Sequence, residues 1–383
     1  TNPTDYPNGG GWTTTMACWN QDYDVRNNRF DVGSGLQLPS AMNFAQRTAL
    51  ETFLFHKPDA ACTGRLISIY PVHNLTQNTY YLTIQGAVTA ANPNDVIECA
   101  EYTYNEKVVI DKSLTLQGVN ETNCIIDGAG LGTGSGIYIN NGVTNVTVSY
   151  FTIKNHAGTG PNSYAGVFGA GGNNNLTVQH CTIRDNIGGS GFFTSGPVNT
   201  VLLDDLDVSG HTNAFGVARG IVIWDGLKQN ITITNCDVYN NNCCGIELQD
   251  GTATDVDISN NNVHDNWDNG IGTVGLNGSA GANTISGNTV TNNGRFGIEI
   301  KNPDGNGSNI TLSGNIVSLT GSFVAARPTE ERDLAGIAVF RRAFNLAYGN
   351  VDIPTGVSVT GNTVTGYLQD NGASTSEGFG IVV

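Results

Sequence analysis

The 383-residue sequence predicts an all-β fold, a solenoid of the parallel β-helix kind, on three observations. A glycine returns at Gly220, Gly245, Gly270 and Gly297, at intervals of 25, 25 and 27 residues. Within one interval, Asn230–Asp250, short apolar alternations (Ile231 and Ile233, then Val238, then Ile246 and Leu248) are separated by turns at Asn235 and Asn240–Asn242. That gives three strands per coil, each too short to be stable alone. The composition agrees: 50 Gly, only 13% charged residues and abundant Asn and Thr suit corners that need positive φ or a side chain bonding its own backbone.

The same numbers exclude some partners. A net charge of −16 argues against nucleic acid and anionic membrane surfaces. No apolar run approaches the roughly 18 residues a membrane span requires. Hydrophobic content of 39% is low, yet enough for a core one side chain deep per strand. A start at Thr1 reads as a mature, processed product. Eight cysteines without a CxxC motif, and sequons at Asn74, Asn120, Asn145, Asn175, Asn230 and Asn309, fit a secreted, extracellular or cell-surface protein. An Asn-x-Thr triplet is also what a β-helix turn entering a strand looks like.

In chain order, residues 1–76 lack the repeat. Ser40 as N-cap and Pro58 as stop predict a helix between them, flanked by Cys18 and Cys62. These two cysteines are a candidate disulfide or two unpaired buried thiols. Residues 77–94 carry Ile84, Ala87, Val88 and Ala91 at i, i+3, i+4 and i+7 before Asn92-Pro93, which predicts a short amphipathic helix capping the first coil. Residues 95–383 form the helix of strands, with Val96, Ile97, Val109, Leu114 and Leu116 in its first strands.

The stretch TIQGAVTAANPNDVIECAEYTYNEKVVIDKSLTLQG, with the GI-x-[ILV] and N-x-[TS]-[ILV]-S-x-N coils that follow, resembles secreted right-handed parallel β-helix proteins of the pectin-lyase-like superfamily. The phrase from Pro71 onward is also similar to large surface proteins of Bacteroidetes-type bacteria. The resemblance covers about residues 77–383. It implies the fold and the right hand, and leaves activity open among lyases, hydrolases, epimerases and non-catalytic proteins.

Aligned coils place Phe151, Cys181, Leu206, Cys236, Asn261, Asn288, Asn315 and Asn362 at one turn position. Stacked about 4.8 Å apart, identical Asn side chains there can bond as a ladder, so the position reads as structural, with Cys181 and Cys236 unbonded. Ile221, Ile246, Ile271, Ile298 and Ile337 form an aliphatic ladder.

The Gly-Ile strand is the one to read for chemistry. If Ile246 and Leu248 point inward, Tyr138, Val222, Trp224, Glu247, Gln249, Glu299, Lys301 and Phe340 point outward, with Asp225, Asp250 and Arg341 at the next turn. Insertions at 157–164, 211–218, 319–334 and 367–377 gather beside this face, as they do on solenoid binding faces. Trp224, Gln249 and Phe340 are the candidate sugar-binding residues. Glu247, Glu299, Asp225, Asp250, Lys301 and Arg341 are the candidate catalytic groups. For a glycosidase, Glu247 and Glu299 are expected ~9–10 Å apart, two coils with Gly272 between. For a lyase, Lys301 or Arg341 (or Arg342) is the base, and Asp225, Asp250 and Glu247 hold Ca²⁺. The alternative is that all of these are solvated outward positions of a repeat. Asp204, Asp205 and Asp207 read as corner residues, His264 as a bystander beside Asp265 and Asp268, and one of the vicinal Cys243 and Cys244 as facing the core.

The reading is thus a secreted or surface protein that binds, and in one version cleaves, polysaccharide or cell-surface glycan. The rival is a non-catalytic structural protein or adhesin. The chain closes on Gly378–Val383, a Gly-Ile strand with no cap after it, so self-association through the C-terminal end is expected.

Overall fold

The computed structural model describes residues 23–24, 66–67, 71–160, 163–214, 216–305, 309–320, 334–341, 356–367 and 378–383. Cys18, Cys62, Arg342, the expected helix after Ser40 and much of the insertions at 319–334 and 367–377 lie outside them.

The chain is a parallel β-helix. One face is a ten-stranded parallel sheet built from the Gly-Ile segments: β1 (Val108–Ile110), β2 (Ile137–Ile139), β3 (Ala165–Gly169), β4 (Ser190–Ser195), β5 (Ile221–Trp224), β6 (Ile246–Gln249), β7 (Ile271–Val274), β8 (Phe296–Lys301), β9 (Leu334–Phe340) and β10 (Gly378–Val382). Consecutive coils pair in register, so that Ile221, Ile246, Ile271, Ile298 and Ile337 stack in one row, all fully buried. The other two strands of each coil, such as Leu227–Thr234 and Asp237–Tyr239, close the remaining faces.

The corners explain the composition. Asn145, Asn175, Asn230, Asn235, Asn240, Asp225 and Asp250 all hold φ between 52° and 57°. This is the left-handed region, in which Asn, Asp and Gly are the residues that sit at least cost. Three of the six sequons (Asn145, Asn175, Asn230) are therefore corner residues first. Asn74 is a different case: buried, it donates to Asp95 at 2.8 Å.

The expected Asn ladder is present. Asn261, Asn288 and Asn315 are buried; the side-chain oxygens of Asn288 and Asn315 each accept from the backbone N–H and the Nδ2 of the preceding rung at 2.9–3.0 Å, and that of Asn261 accepts from the Cys236 N–H at 2.9 Å. Asn362 continues it, and Phe151, Cys181, Leu206 and Cys236 fill the same position as apolar plugs. A second ladder, not expected, runs through the next corner. His156 N–H donates to Asn186, Asn186 N–H to His211, His211 N–H to Asn241, and the run goes on through Asn266 to Asn293.

The interior of the coil leaves no room for a side chain at the repeat glycine. A Cβ on Gly220 would stand 2.4 Å from Val238 Cγ1, 2.7 Å from the Gly245 carbonyl oxygen and 2.9 Å from Asn241 Nδ2 of the second ladder, and Gly245 and Gly270 meet the equivalent atoms in the following coils. At Gly297 and Gly336 Tyr367 takes the place of the ladder residue.

The capping helix α1 (Ile84–Ala90) is the single helix among the described residues. Thr83 caps its first turn, and it buries Ile84, Ala87 and Val88 over the first coil. It is shorter than the 77–94 segment because Thr79–Tyr81 is a strand, antiparallel to Val72–Asn74, which itself pairs with Asp95–Cys99. The first coil ties both helix ends: Glu106 accepts from the N–H groups of Ile84 and Gln85, and Lys112 Nζ donates to Val88, Thr89 and Ala91 carbonyls. At the other end, Phe379, Ile381 and Val383 are exposed.

Candidate functional site

The outer side of the ten-stranded sheet is a row of side chains that do not belong to the apolar core inside the coil. Tyr138, Phe168 and Phe193 stack along its first half at 5.2 and 4.9 Å between ring centroids. Val222 carries the row onto Glu247, Gly272 and Glu299. The row points outward as alternation predicts, and four of its polar members are not solvated. Glu247 is 4% exposed, Glu299 3%, Lys301 7% and Gln249 7%.

Two ion pairs account for this burial. Arg219 Nε donates to Glu247 Oε2, and Arg219 NH1 to the Val217 carbonyl at 3.1 Å. The Arg219 guanidinium also lies over the Trp224 ring, 5.1 Å from its centroid. Lys301 Nζ is 2.8 Å from Glu299 Oε2, which accepts a second bond from Asn269 Nδ2 at 2.7 Å. Burial raises the Glu299 pKa above the ordinary carboxylate value, although Lys301 opposes it. Burial pulls Lys301 down, but Glu299 and Glu247 outweigh it and raise its pKa.

Between the pairs is a notch. A Cβ on Gly272 would stand 3.5 Å from Glu299 Oε2 and 3.8 Å from Glu247 Cγ. Glu299 Oε2 and the Glu247 stem thus flank Gly272 from the two neighbouring coils. Gln249, in register with Trp224 on the neighbouring strand, keeps a buried Oε1 with no hydrogen-bond partner. Phe340 is half-buried against Phe296, with centroids 5.9 Å apart.

Arg219 and Asn269 carry no expectation from the sequence. They occupy the position before the repeat glycine, inside a corner, where period-two alternation does not say which way a side chain points. Their only signal is the register itself, which stacks them either side of Cys244 on successive coils.

Asp225 and Asp250 do not join this row. They sit at the corner after it in left-handed backbone, and Asp225 is exposed and accepts from the Gly226 N–H. Beneath them Lys228, fully buried, donates from Nζ to the carbonyls of Asp225, Gly226, Gln249 and Asp250. Desolvation lowers the Lys228 pKa to about 8, with Asp225 and Asp250 opposing it. The Lys228 ammonium thus holds the carbonyl oxygens of this corner, whereas Asp250 Oδ1 is buried without a hydrogen-bond partner. Arg341 is exposed, just past β9.

Residues 115–280 match the protein family described as right handed beta helix region. The chain is a right-handed parallel β-helix. Among solved structures, it is similar to the Dettilon tailspike protein (14% identity, TM-score 0.41, 77% of this chain and 63% of that one). It thus spans less than two thirds of the tailspike. It is also similar to the A-module of the Azotobacter vinelandii mannuronan C-5 epimerase AlgE4 (13%, 0.40, 78% and 90%) and to an alginate lyase from Paenibacillus sp. (13%, 0.36, 78% and 96%). No curated protein matches the sequence. Among the described residues, no helix is long and apolar enough to cross a membrane.

The secondary candidates resolve into structural contacts. The carboxylates of Asp204, Asp205 and Asp207 meet Asn235, His180 and Ser209. His264 stacks on Tyr239 and lies within hydrogen-bond distance of Asp265 and Asp237. Cys181 and Cys236 are free. Cys243 and Cys244 are both buried and free, outside the largest apolar cluster of the coil and close to Glu247.

Proposed function

We propose that the protein binds a neutral polysaccharide along the outer face of the Gly-Ile sheet, with the Gly272 notch as the seat of one sugar. The observation that carries this is the buried row Arg219–Glu247–Gly272–Glu299–Lys301 on the outside of a solenoid whose core lies inside. Two buried ion pairs are costly and add little to a fold already held by its inner ladders. The unpartnered Gln249 Oε1 is available to a sugar hydroxyl, and the half-buried Trp224 and Phe340 supply apolar ring surface at the border of the row.

Charge narrows the substrate. Both row cations, Arg219 and Lys301, already hold a carboxylate, so neither is left to neutralise a uronate or to take its proton. This favours a neutral glycan over a polyuronate, and hydrolysis over elimination. In hydrolysis Glu247 and Glu299, the carboxylates either side of Gly272, are the acid–base pair. The proposed setting is the extracellular space or the cell surface.

The test is a panel of neutral and acidic oligosaccharides, scored for binding and for release of reducing ends. Glu299→Gln should keep binding and lose release, and Trp224→Ala should weaken binding. Binding without release in the native protein would place it with non-catalytic adhesins. No binding to any neutral glycan would overturn the proposal.

A further inference from the structure

Beside the notch lies a second cluster that the glycan reading does not use. Cys243 and Cys244 end the loop entering β6, with their Sγ atoms 3.5 Å apart. Asp268 stands on the next coil, where its N–H donates to the Cys243 carbonyl at 2.9 Å. One ligand atom from each of the three lies within 4.8 Å of the others, the only such group among the described residues. The backbone is fixed on both sides, since Cys244 O accepts from Gly220 N–H at 3.0 Å and Arg295 N–H donates to Asp268 O at 3.2 Å.

We infer that Cys243, Cys244 and Asp268 bind a thiophilic divalent cation of the zinc class. Two sulfurs held about 2.3 Å from one tetrahedral ion stand about 3.7–3.8 Å apart, and the observed pair needs only a small adjustment to reach that spacing. Thiolate ligands select zinc-like ions over calcium, which takes oxygen ligands. Adjacent coils set the ligand positions, so the site does not depend on a mobile loop. Three protein ligands leave a fourth position for water or a substrate oxygen, the pattern of a zinc site that does chemistry rather than one that only braces a fold. The Arg219 charge, which would oppose an incoming cation, is held by Glu247.

This inference stands apart from glycan binding, and its test does not use a sugar. The reduced full chain is titrated with cobalt(II), followed by thiolate-to-cobalt charge-transfer absorption, and zinc is then added in competition. One equivalent should bind with the charge-transfer band and be displaced by zinc. Asp268→Asn, which keeps the side-chain shape, should weaken binding by more than the about 10–100-fold that loss of an outer-shell partner costs. Cys243→Ser with Cys244→Ser should abolish the band, and Cys236→Ala should leave it in place. Circular dichroism of each variant confirms the fold. The absence of a band, a band surviving the double substitution, or a Cys243–Cys244 disulfide resisting reduction in the native protein would each overturn the site.

Discussion

Glu247 and Glu299 stand in one outward row, two coils apart, and the residue between them in register is Gly272. Gly272 has ordinary backbone dihedrals and room for a methyl group, whose carbon would make van der Waals contact with both glutamates. A strand gains nothing from a glycine there. Gly272→Ala should therefore leave stability unchanged or raise it by about 0.4–1 kcal/mol, while filling the seat and weakening glycan binding at least tenfold. Thermal unfolding and oligosaccharide titration on the same sample would check it. Unaltered affinity would remove the notch from the binding site.

The Asn ladder gives a prediction about stability alone. Asn288 accepts from Asn261 through two donors and itself donates to the Ile258 carbonyl at 2.9 Å. Leucine has similar volume but no polar atoms. Asn288→Leu should cost about 1–3 kcal/mol for each buried group left unmet, read as a lower denaturation midpoint. A midpoint shift within error would mean that the ladder is packing and not hydrogen bonding.

This ladder was legible in the sequence because one residue type repeats at one corner, and its register fixed the outward positions of Glu247, Gln249, Glu299 and Lys301. The second ladder was not, because His156, Asn186, His211 and Asn241 share a position without sharing a residue type. The repeat glycine marked the period, but its cause, the clash of a Cβ with a core valine, the next coil's carbonyl and, in most coils, that ladder, is visible only in space. The ion-pair partners split the same way: Lys301 lies two residues from Glu299 on one strand, whereas Arg219 reaches Glu247 from a neighbouring coil.

Acid should loosen the middle of the solenoid. Burial lowers the pKa of both His156 and His211 to about 4 from 6.5. In His211, Nδ1 accepts from the Asn186 N–H, which requires Nε2 to carry the proton toward the Ile183 carbonyl. A second proton on Nδ1 would face that N–H. Between pH 6.5 and 4 the unfolded chain binds more protons than the folded one, so stability falls as pH drops through this window. The loss is at most about 3 kcal/mol per histidine. His211→Asn, the residue used one coil later, should flatten part of the slope in denaturation midpoint against pH. An unchanged slope would assign the loss to carboxylates.

The buried Arg219–Glu247 pair separates the demands of the fold from those of the site. Removing one partner strands the other charge in a desolvated row, at a cost of about 3–5 kcal/mol. Arg219→Met and Glu247→Leu should each be strongly destabilising when made alone. Made together, they leave no uncompensated charge, and replacing a buried pair with apolar residues of similar volume is often neutral. The double variant should unfold within about 1 kcal/mol of the native protein and still fail to bind glycan. If it binds as the native protein does, the pair serves the fold and the sugar site lies elsewhere on the sheet. If it is as unstable as the single variants, the pair is a structural requirement of this coil and does not mark a functional row.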